Sequence, residues 1–290
     1  MADHPLLRSF LFAPGFDEQK MTKAARRGAD AVVLDLEDSV RPEDKAGARD
    51  SVGRLIQALA SESSAEIHVR INRAGTSYDP DDIAAVVVPG LSALRLPKCE
   101  SASDVRDVEE MLDALEPQGG PGRVRLYPTV ESAAGVLAAH DIARSSPRVA
   151  ALVFGAADFA ASIGVMAPPF EATLMARSTL VLASAASGVG PPIDGAYLDL
   201  ADVDGLRAHS RRVRELGFRG KSAIHPNQLP VIHDVFTPSS DEIDRARRIL
   251  DRISAGATTG VVDGSFVDPP VIAQARAVLE LLRRIESKGD

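Results

Sequence analysis

The sequence predicts an α/β fold, a closed (β/α)8 TIM barrel, on three observations. Eight short apolar runs of strand character recur along the chain. Amphipathic helical patterns fill the gaps between them, the alternation expected of a parallel sheet. The glycine-rich phosphate turns G-x-G-x-x-G and G-x-x-x-x-G-K-[ST], which a rival doubly wound nucleotide-binding sheet would carry, do not occur in the sequence. A length of 290 residues fits one such barrel plus an extension, and 45% apolar content supplies its core.

Strands are expected at 9–13, 31–36, 67–71, 93–96, 124–127, 150–154, 193–198 and 221–224. Helices are expected between them, among others at 17–28, 42–60, 103–115, 132–144, 170–187 and 203–216. In 103–115, Val105, Val108, Met111, Leu112 and Leu115 recur at helical spacing, with Asp104 and Asp107 on the polar side. Gly28, Gly188 and Gly217 stand where helices should stop. The barrel is assigned to residues 1–237. Residues 238–290 read as a C-terminal helical lid and oligomerisation extension: Pro238-Ser239-Ser240 opens a helix, a Gly/Thr loop follows at 255–266, and Asp268-Pro269-Pro270 starts a last helix.

Composition removes several function classes. Net charge is −8, the charges are interspersed, and there is no Trp, which argues against a nucleic-acid groove. A single cysteine, Cys99, excludes an intrachain disulfide and a cysteine-based zinc site. No apolar run approaches the roughly 20 residues of a membrane span. No secretory signal is apparent, and a cytoplasmic location is expected.

Barrel active sites lie at the C-terminal ends of the strands, so polar residues there are the candidates. The run Ala31-Val32-Val33-Leu34 ends in a knot of acids, Asp35, Glu37 and Asp38. Clustered carboxylates beside a buried strand need a cation, a facing base or backbone N–H groups. Arg70 ends the third strand and suits a carboxylate or a developing enolate oxygen; a structural pair with Asp35 or Glu37 is the competing reading. Lys98 follows the fourth strand and fits an anion site and a plain loop lysine equally. Glu131 and Asp158 follow strands five and six, facing one mouth, and two hard oxygen donors suit Mg²⁺; helix capping is the alternative for each. Glu37 and Asp38 are read as holding metal-bound water and Arg70. Lys221 and His225, near the end of strand eight, are substrate-binding candidates: Lys221 as an anion site, His225 in a direct catalytic role or, alternatively, as a satisfied structural histidine.

These segments taken in order resemble the citrate lyase β-subunit-like proteins, a branch of the HpcH/HpaI aldolase/citrate lyase superfamily with malyl-CoA and citramalyl-CoA lyases. The matching stretches are Arg8-Ser9-Phe10-Leu11-Phe12-Ala13-Pro14-Gly15, Asp35-Leu36-Glu37-Asp38-Ser39-Val40, Arg70-Ile71-Asn72, Leu96-Pro97-Lys98, Glu131-Ser132, Phe154-Gly155 with Asp158-Phe159, and Gly220-Lys221-Ser222-Ala223-Ile224-His225-Pro226-Asn227-Gln228. Phe12-Ala13 departs from the Tyr-Val of several relatives. The resemblance implies a (β/α)8 barrel with Mg²⁺ on Glu131 and Asp158 and with Arg70 on the substrate's reacting oxygens. It implies cleavage of a β-hydroxyacyl-CoA thioester into a 2-oxo acid and an acyl-CoA, with thioester hydrolysis in some relatives. It also implies a homo-oligomer, trimer or hexamer, in which an aspartate of the lid, here Asp268, serves a neighbouring subunit as acid or base. Two other roles stay open: a citrate lyase β-subunit working with partner subunits, and a non-catalytic acyl-CoA-binding barrel. On this reading Arg70→Ala leaves folding intact and lowers turnover at least about 100-fold.

Overall fold

The computed structural model describes residues 7–73, 75–76, 79–116, 123–166, 169–254 and 259–286. The chain divides into two compact units, Met1–Ile232 and His233–Asp290.

The first unit is a closed barrel of eight parallel strands in sequence order. They are β1 Ser9–Pro14, β2 Ala31–Asp35, β3 Glu66–Arg70, β4 Leu91–Leu96, β5 Arg125–Val130, β6 Ala151–Phe154, β7 Gly190–Asp194 and β8 Gly220–Ala223. Between them lie α1 Glu18–Ala25, α2 Lys45–Glu62, α3 Asp79–Val86, α4 Ala102–Leu115, α5 Ala133–Leu137, α6 Ala139–Ala143, α7 Ala156–Ser162, α8 Leu174–Ser187 and α9 Val203–Leu216. β1 closes the ring by pairing with β8, Ser9 opposite Lys221.

Strands covered on both faces read as continuous apolar runs, and all five residues of β2 are buried. Phe10, Ala31, Val33, Ala93, Tyr127, Ala151, Val153 and Ile193 pack together as a core cluster. Helix ends follow local chemistry. Ser101 caps α4 in a capping box with Asp104. Gly188 and Gly217 end α8 and α9 at φ +72° and +114°, a region that costs other residues strain.

Three elements differ from expectation. The seventh strand lies at 190–194, earlier than 193–198, because Pro191 and Pro192 suppress its strand signal. The prolines are tolerated because Gly190 N–H donates to Ala150 O and Pro192 O accepts from Arg219 N–H. The helix expected at 132–144 is two short helices joined at Ala138. Residues 260–266 of the expected Gly/Thr loop, together with Val267, form a hairpin of β9 Gly260–Val262 and β10 Ser265–Val267; 255–258 of that loop lie outside the described residues. Asp263 and Gly264, both at positive φ, make its two-residue turn.

The second unit also contains α11 Ser240–Ser254 and α12 Pro269–Glu286, with α10 Leu229–Phe236 at the junction. Ala246, Ile249, Val267, Ile272 and Ala275 form its own core. The division along the chain falls between Ile232 and His233; the sequence suggests 237/238. Among the described residues no helix is long and apolar enough to cross a membrane.

Candidate active site

Parallel pairing places Asp35, the last residue of β2, directly opposite Arg70, the last of β3. Arg70 Nε and Nη2 donate to the two Asp35 oxygens at 2.6 and 2.8 Å, a bidentate pair. Nη1 reaches Asp38 at 3.1 Å and Glu37 at 2.9 Å. Burial pushes the Asp35 carboxyl up, but the Arg70 pair outweighs it and holds Asp35 below the ordinary carboxylate value. Burial likewise works against the Arg70 charge, and Asp35, Glu37 and Asp38 together hold it above its usual value.

The acid loop is fastened from below. Lys45, buried at the start of α2, donates from Nζ to the carbonyls of Leu36 (2.8 Å) and Glu37 (3.0 Å). Sequence reading overlooks Lys45, because an isolated lysine early in a helix looks like ordinary surface charge.

Lys98 ties this network to the next one. Its Nζ donates to Glu37 Oε1 at 2.5 Å and lies 3.5 Å from Asp38. Its backbone N–H donates to Glu131 Oε1 at 2.7 Å. The residue adopts φ +53°, a conformation uncommon outside glycine and seen at functional sites. Among the described residues, the Lys98 ammonium is engaged by the Glu37 carboxylate.

Glu131 follows β5 and is buried; Asp158 lies in the first turn of α7, after β6. Burial raises the Glu131 carboxyl to about 7, the Lys98 N–H opposes the rise, and the negative charges of Asp158 and then Glu37 add to it. Gly155 makes room for it: a Cβ there would lie 2.5 Å from Glu131 Cβ and overlap Oε2. A buried carboxylate beside a second one, both lacking an ammonium or guanidinium hydrogen-bond partner among the described residues, suits a hard divalent cation. These residues fit Mg²⁺. Among the described residues no group of three or more His, Cys, Asp or Glu side chains forms a closed metal cage. A two-carboxylate site leaves the remaining positions to water and substrate.

Three further candidates engage other partners. Lys221 is fully buried, and its Nζ donates to Asp194 and approaches His209 Nδ1 at 3.3 Å. Arg177 Nε donates to the same Asp194 at 3.0 Å. Strand alternation explains the placement: a Cβ on Gly220 would meet the Phe10 ring inside the barrel, so Lys221 turns outward to α8 and α9. The substrate-binding expectation for Lys221 therefore gives way to a structural ion cluster. Asp194, Arg177 and His209 carried no readable signal, since their partners are distant in sequence. His225 is exposed, and its Nδ1 accepts from Asn227 N–H at 3.2 Å, capping the turn 226–228. Asp268, in the second unit, caps α12 by accepting from Val271 N–H at 3.2 Å.

The geometry also revises the expected behaviour of Arg70→Ala. Removing one partner of a buried pair leaves the other charge uncompensated, at a cost of about 3–5 kcal/mol. With Asp35 buried against it, Arg70 holds the fold as well as the site.

Residues 8–226 match the profile of the HpcH/HpaI aldolase/citrate lyase family. The chain is 34% identical over 280 residues to the citrate lyase subunit beta of Escherichia coli K12, covering 94% of this chain and 92% of that one. It is 34% identical over 306 residues to the L-malyl-CoA/beta-methylmalyl-CoA lyase of Cereibacter sphaeroides, covering 97% and 96%. Among solved structures it is similar to the protein CitE of Mycobacterium tuberculosis in complex with magnesium, acetoacetate and coenzyme A. The TM-score is 0.79 at 29% identity, over 97% of this chain and 99% of that one.

Proposed function

For a chain that belongs to the HpcH/HpaI aldolase/citrate lyase family, we propose the role of a Mg²⁺-dependent carbon–carbon lyase acting on a β-hydroxyacyl-CoA of the malyl-CoA, methylmalyl-CoA or citramalyl-CoA type. The observation that carries the reading is the pairing of Glu131 and Asp158 after adjacent strands, with Lys98 linking Glu131 to the acids that hold Arg70. The similarity to a malyl-CoA lyase over nearly the whole chain supports the substrate class.

Glu131 and Asp158 hold the metal, which supplies Lewis acidity and a template for the substrate's carboxylate and β-oxygen. Arg70 enters the reaction pre-aligned, because Asp35 fixes its plane from behind. A guanidinium carries five N–H groups, and Asp35 and Asp38 take three of them in hydrogen bonds. The guanidinium stabilises negative charge developing on a substrate oxygen. Glu37 and Asp38 keep Arg70 and Lys98 in place. Asp268, presented by the C-terminal unit of a neighbouring subunit, moves the α-proton as acid or base. The protein works as a homo-oligomer, trimer or hexamer, in the cytoplasm.

A second reading has equal sequence support: a citrate lyase β-subunit that cleaves a carrier-protein thioester with partner subunits. The test is an assay of the purified chain alone with malyl-CoA and citramalyl-CoA, following 2-oxo acid and free thiol separately. Oxo acid in step with acyl-CoA supports the lyase; thiol without oxo acid makes the protein a thioesterase. Silence in both channels shifts the assignment to the carrier-protein substrate or to a binding role.

A further inference from the structure

Among the described residues, the barrel interior holds a cation that the site network does not use. Arg95 sits on β4 in the row Asp35–Arg70–Arg95, one strand beyond Arg70. Its side chain runs inward and is 1% exposed. None of its Nε, Nη1 and Nη2 atoms has a hydrogen-bond acceptor among the described residues. Its company is aromatic: the guanidinium carbon lies 4.3 Å from the Phe10 ring centre, 5.6 Å from Tyr127 and 5.8 Å from Phe12. Ring faces attract the charge but do not satisfy in-plane N–H groups.

The acids around it are committed elsewhere. Asp35 takes Arg70 in a bidentate pair, and Glu37 takes Lys98 and Arg70. Glu66 Oε2 takes Arg125 at 2.7 Å and His68 at 3.1 Å. His68 brings no counter-charge, because burial lowers its pKa to about 4 and keeps it neutral. With Nε2–H donating to Glu66, its Nδ1 is a bare acceptor, and that atom too has no partner among the described residues. The His68 ring packs on both Phe10 and Tyr127, the same rings that line Arg95. One ring-walled interior thus contains an unneutralised guanidinium fork and a lone pair awaiting a donor.

We propose that this interior is a binding site for a small monovalent anion of halide or short-carboxylate size, seated on Arg95. The anion accepts from the guanidinium, and a water beside it donates to His68 Nδ1. Phe12, one of the rings around Arg95, is only partly buried, and Arg70 also stacks on it, at 5.2 Å. A buried arginine is an expensive choice for a position that three aromatic side chains could pack around, and a bound counter-ion accounts for it.

Two measurements test the site. Crystals of the protein grown in sodium bromide are examined for anomalous scattering at the bromine edge. A bromide peak within hydrogen-bond reach of the Arg95 guanidinium is expected; ordinary water density there, or no peak, together with no stabilisation by formate in the melts below, overturns the proposal. In parallel, melting of wild type and Arg95→Met is followed against sodium bromide, sodium formate and sodium gluconate at constant ionic strength. Wild type should gain about 2 °C from bromide or formate over gluconate at roughly five times the anion's Kd. Arg95→Met should show no such gain. An identical response in both proteins overturns the assignment, and if Arg95→Met does not fold the bromide peak and the wild-type melts decide together. A response to formate without one to bromide identifies the occupant as a carboxylate; the reverse identifies a halide.

Discussion

Gly155→Ala is the sharpest probe of the site's packing. The new Cβ would stand 2.5 Å from Glu131 Cβ and 3.2 Å from Glu131 Cδ, inside normal van der Waals separation. Glu131 is buried and held at Oε1 by the Lys98 N–H, so the carboxylate must swing off that bond or the backbone after β6 must shift. Overpacking of this kind costs about 1–3 kcal/mol, and displacement of a metal carboxylate costs about 10–100-fold in affinity. The assay is calorimetric titration of Mg²⁺ into purified wild type and variant, with a melt of each. Gly47→Ala is the control, because a Cβ there meets nothing within 4 Å. It should leave Mg²⁺ affinity unchanged and raise stability by roughly 0.5–1 kcal/mol, as Gly→Ala within a helix does. If Gly155→Ala binds Mg²⁺ like wild type, Glu131 is not a ligand in the position described.

Arg70→Ala should lower the unfolding free energy by about 3–5 kcal/mol and abolish turnover, measured by urea denaturation and oxo-acid release; an unchanged denaturation midpoint would refute the buried pair. Lys45→Met should fold but lower kcat more than it alters Mg²⁺ affinity, since it loosens the acid loop and leaves Glu131 and Asp158 in place; wild-type kinetics would remove it from a positioning role. Asp35 and Asp194 are both held below the ordinary aspartate value of 3.8 once their cations outweigh burial. Their stabilisation is full above that value and lost as pH falls through their lower folded values, so the urea midpoint should drop steeply below pH about 4. A midpoint unchanged down to pH 3 would contradict both pairs. Gly264→Ala, at φ +75° in the hairpin turn, should cost about 1 kcal/mol without changing Mg²⁺ binding.

The barrel was legible because strands covered on both faces must be apolar throughout, and the acids that end them stand out against that background. The same contrast exposed Asp35, Arg70 and Glu131. Legibility failed where the deciding contact is remote in sequence. Lys221 sits in a motif that ends at the mouth, yet strand alternation turns it to the helices, where Asp194 was waiting 27 residues earlier. β7 was displaced in the reading because two prolines imitate a loop. The hairpin around Asp263-Gly264 did carry its turn signal, but flanking strands of three residues are too short to show alternation. Arg95 reads as part of an ordinary strand; only three dimensions reveal that its guanidinium has no hydrogen-bond acceptor among the described residues.

The measurement that bears most directly on the proposed chemistry is oxo-acid release from malyl-CoA and citramalyl-CoA by wild type, Glu131→Gln and Asp158→Asn, each with Mg²⁺ and after EDTA. A metal-dependent lyase should release oxo acid only in the wild type with Mg²⁺, recover after EDTA when Mg²⁺ is restored, and fall by at least about 100-fold in both variants. Release that survives EDTA, or that persists in both variants, would contradict the assignment of Glu131 and Asp158 as its metal site.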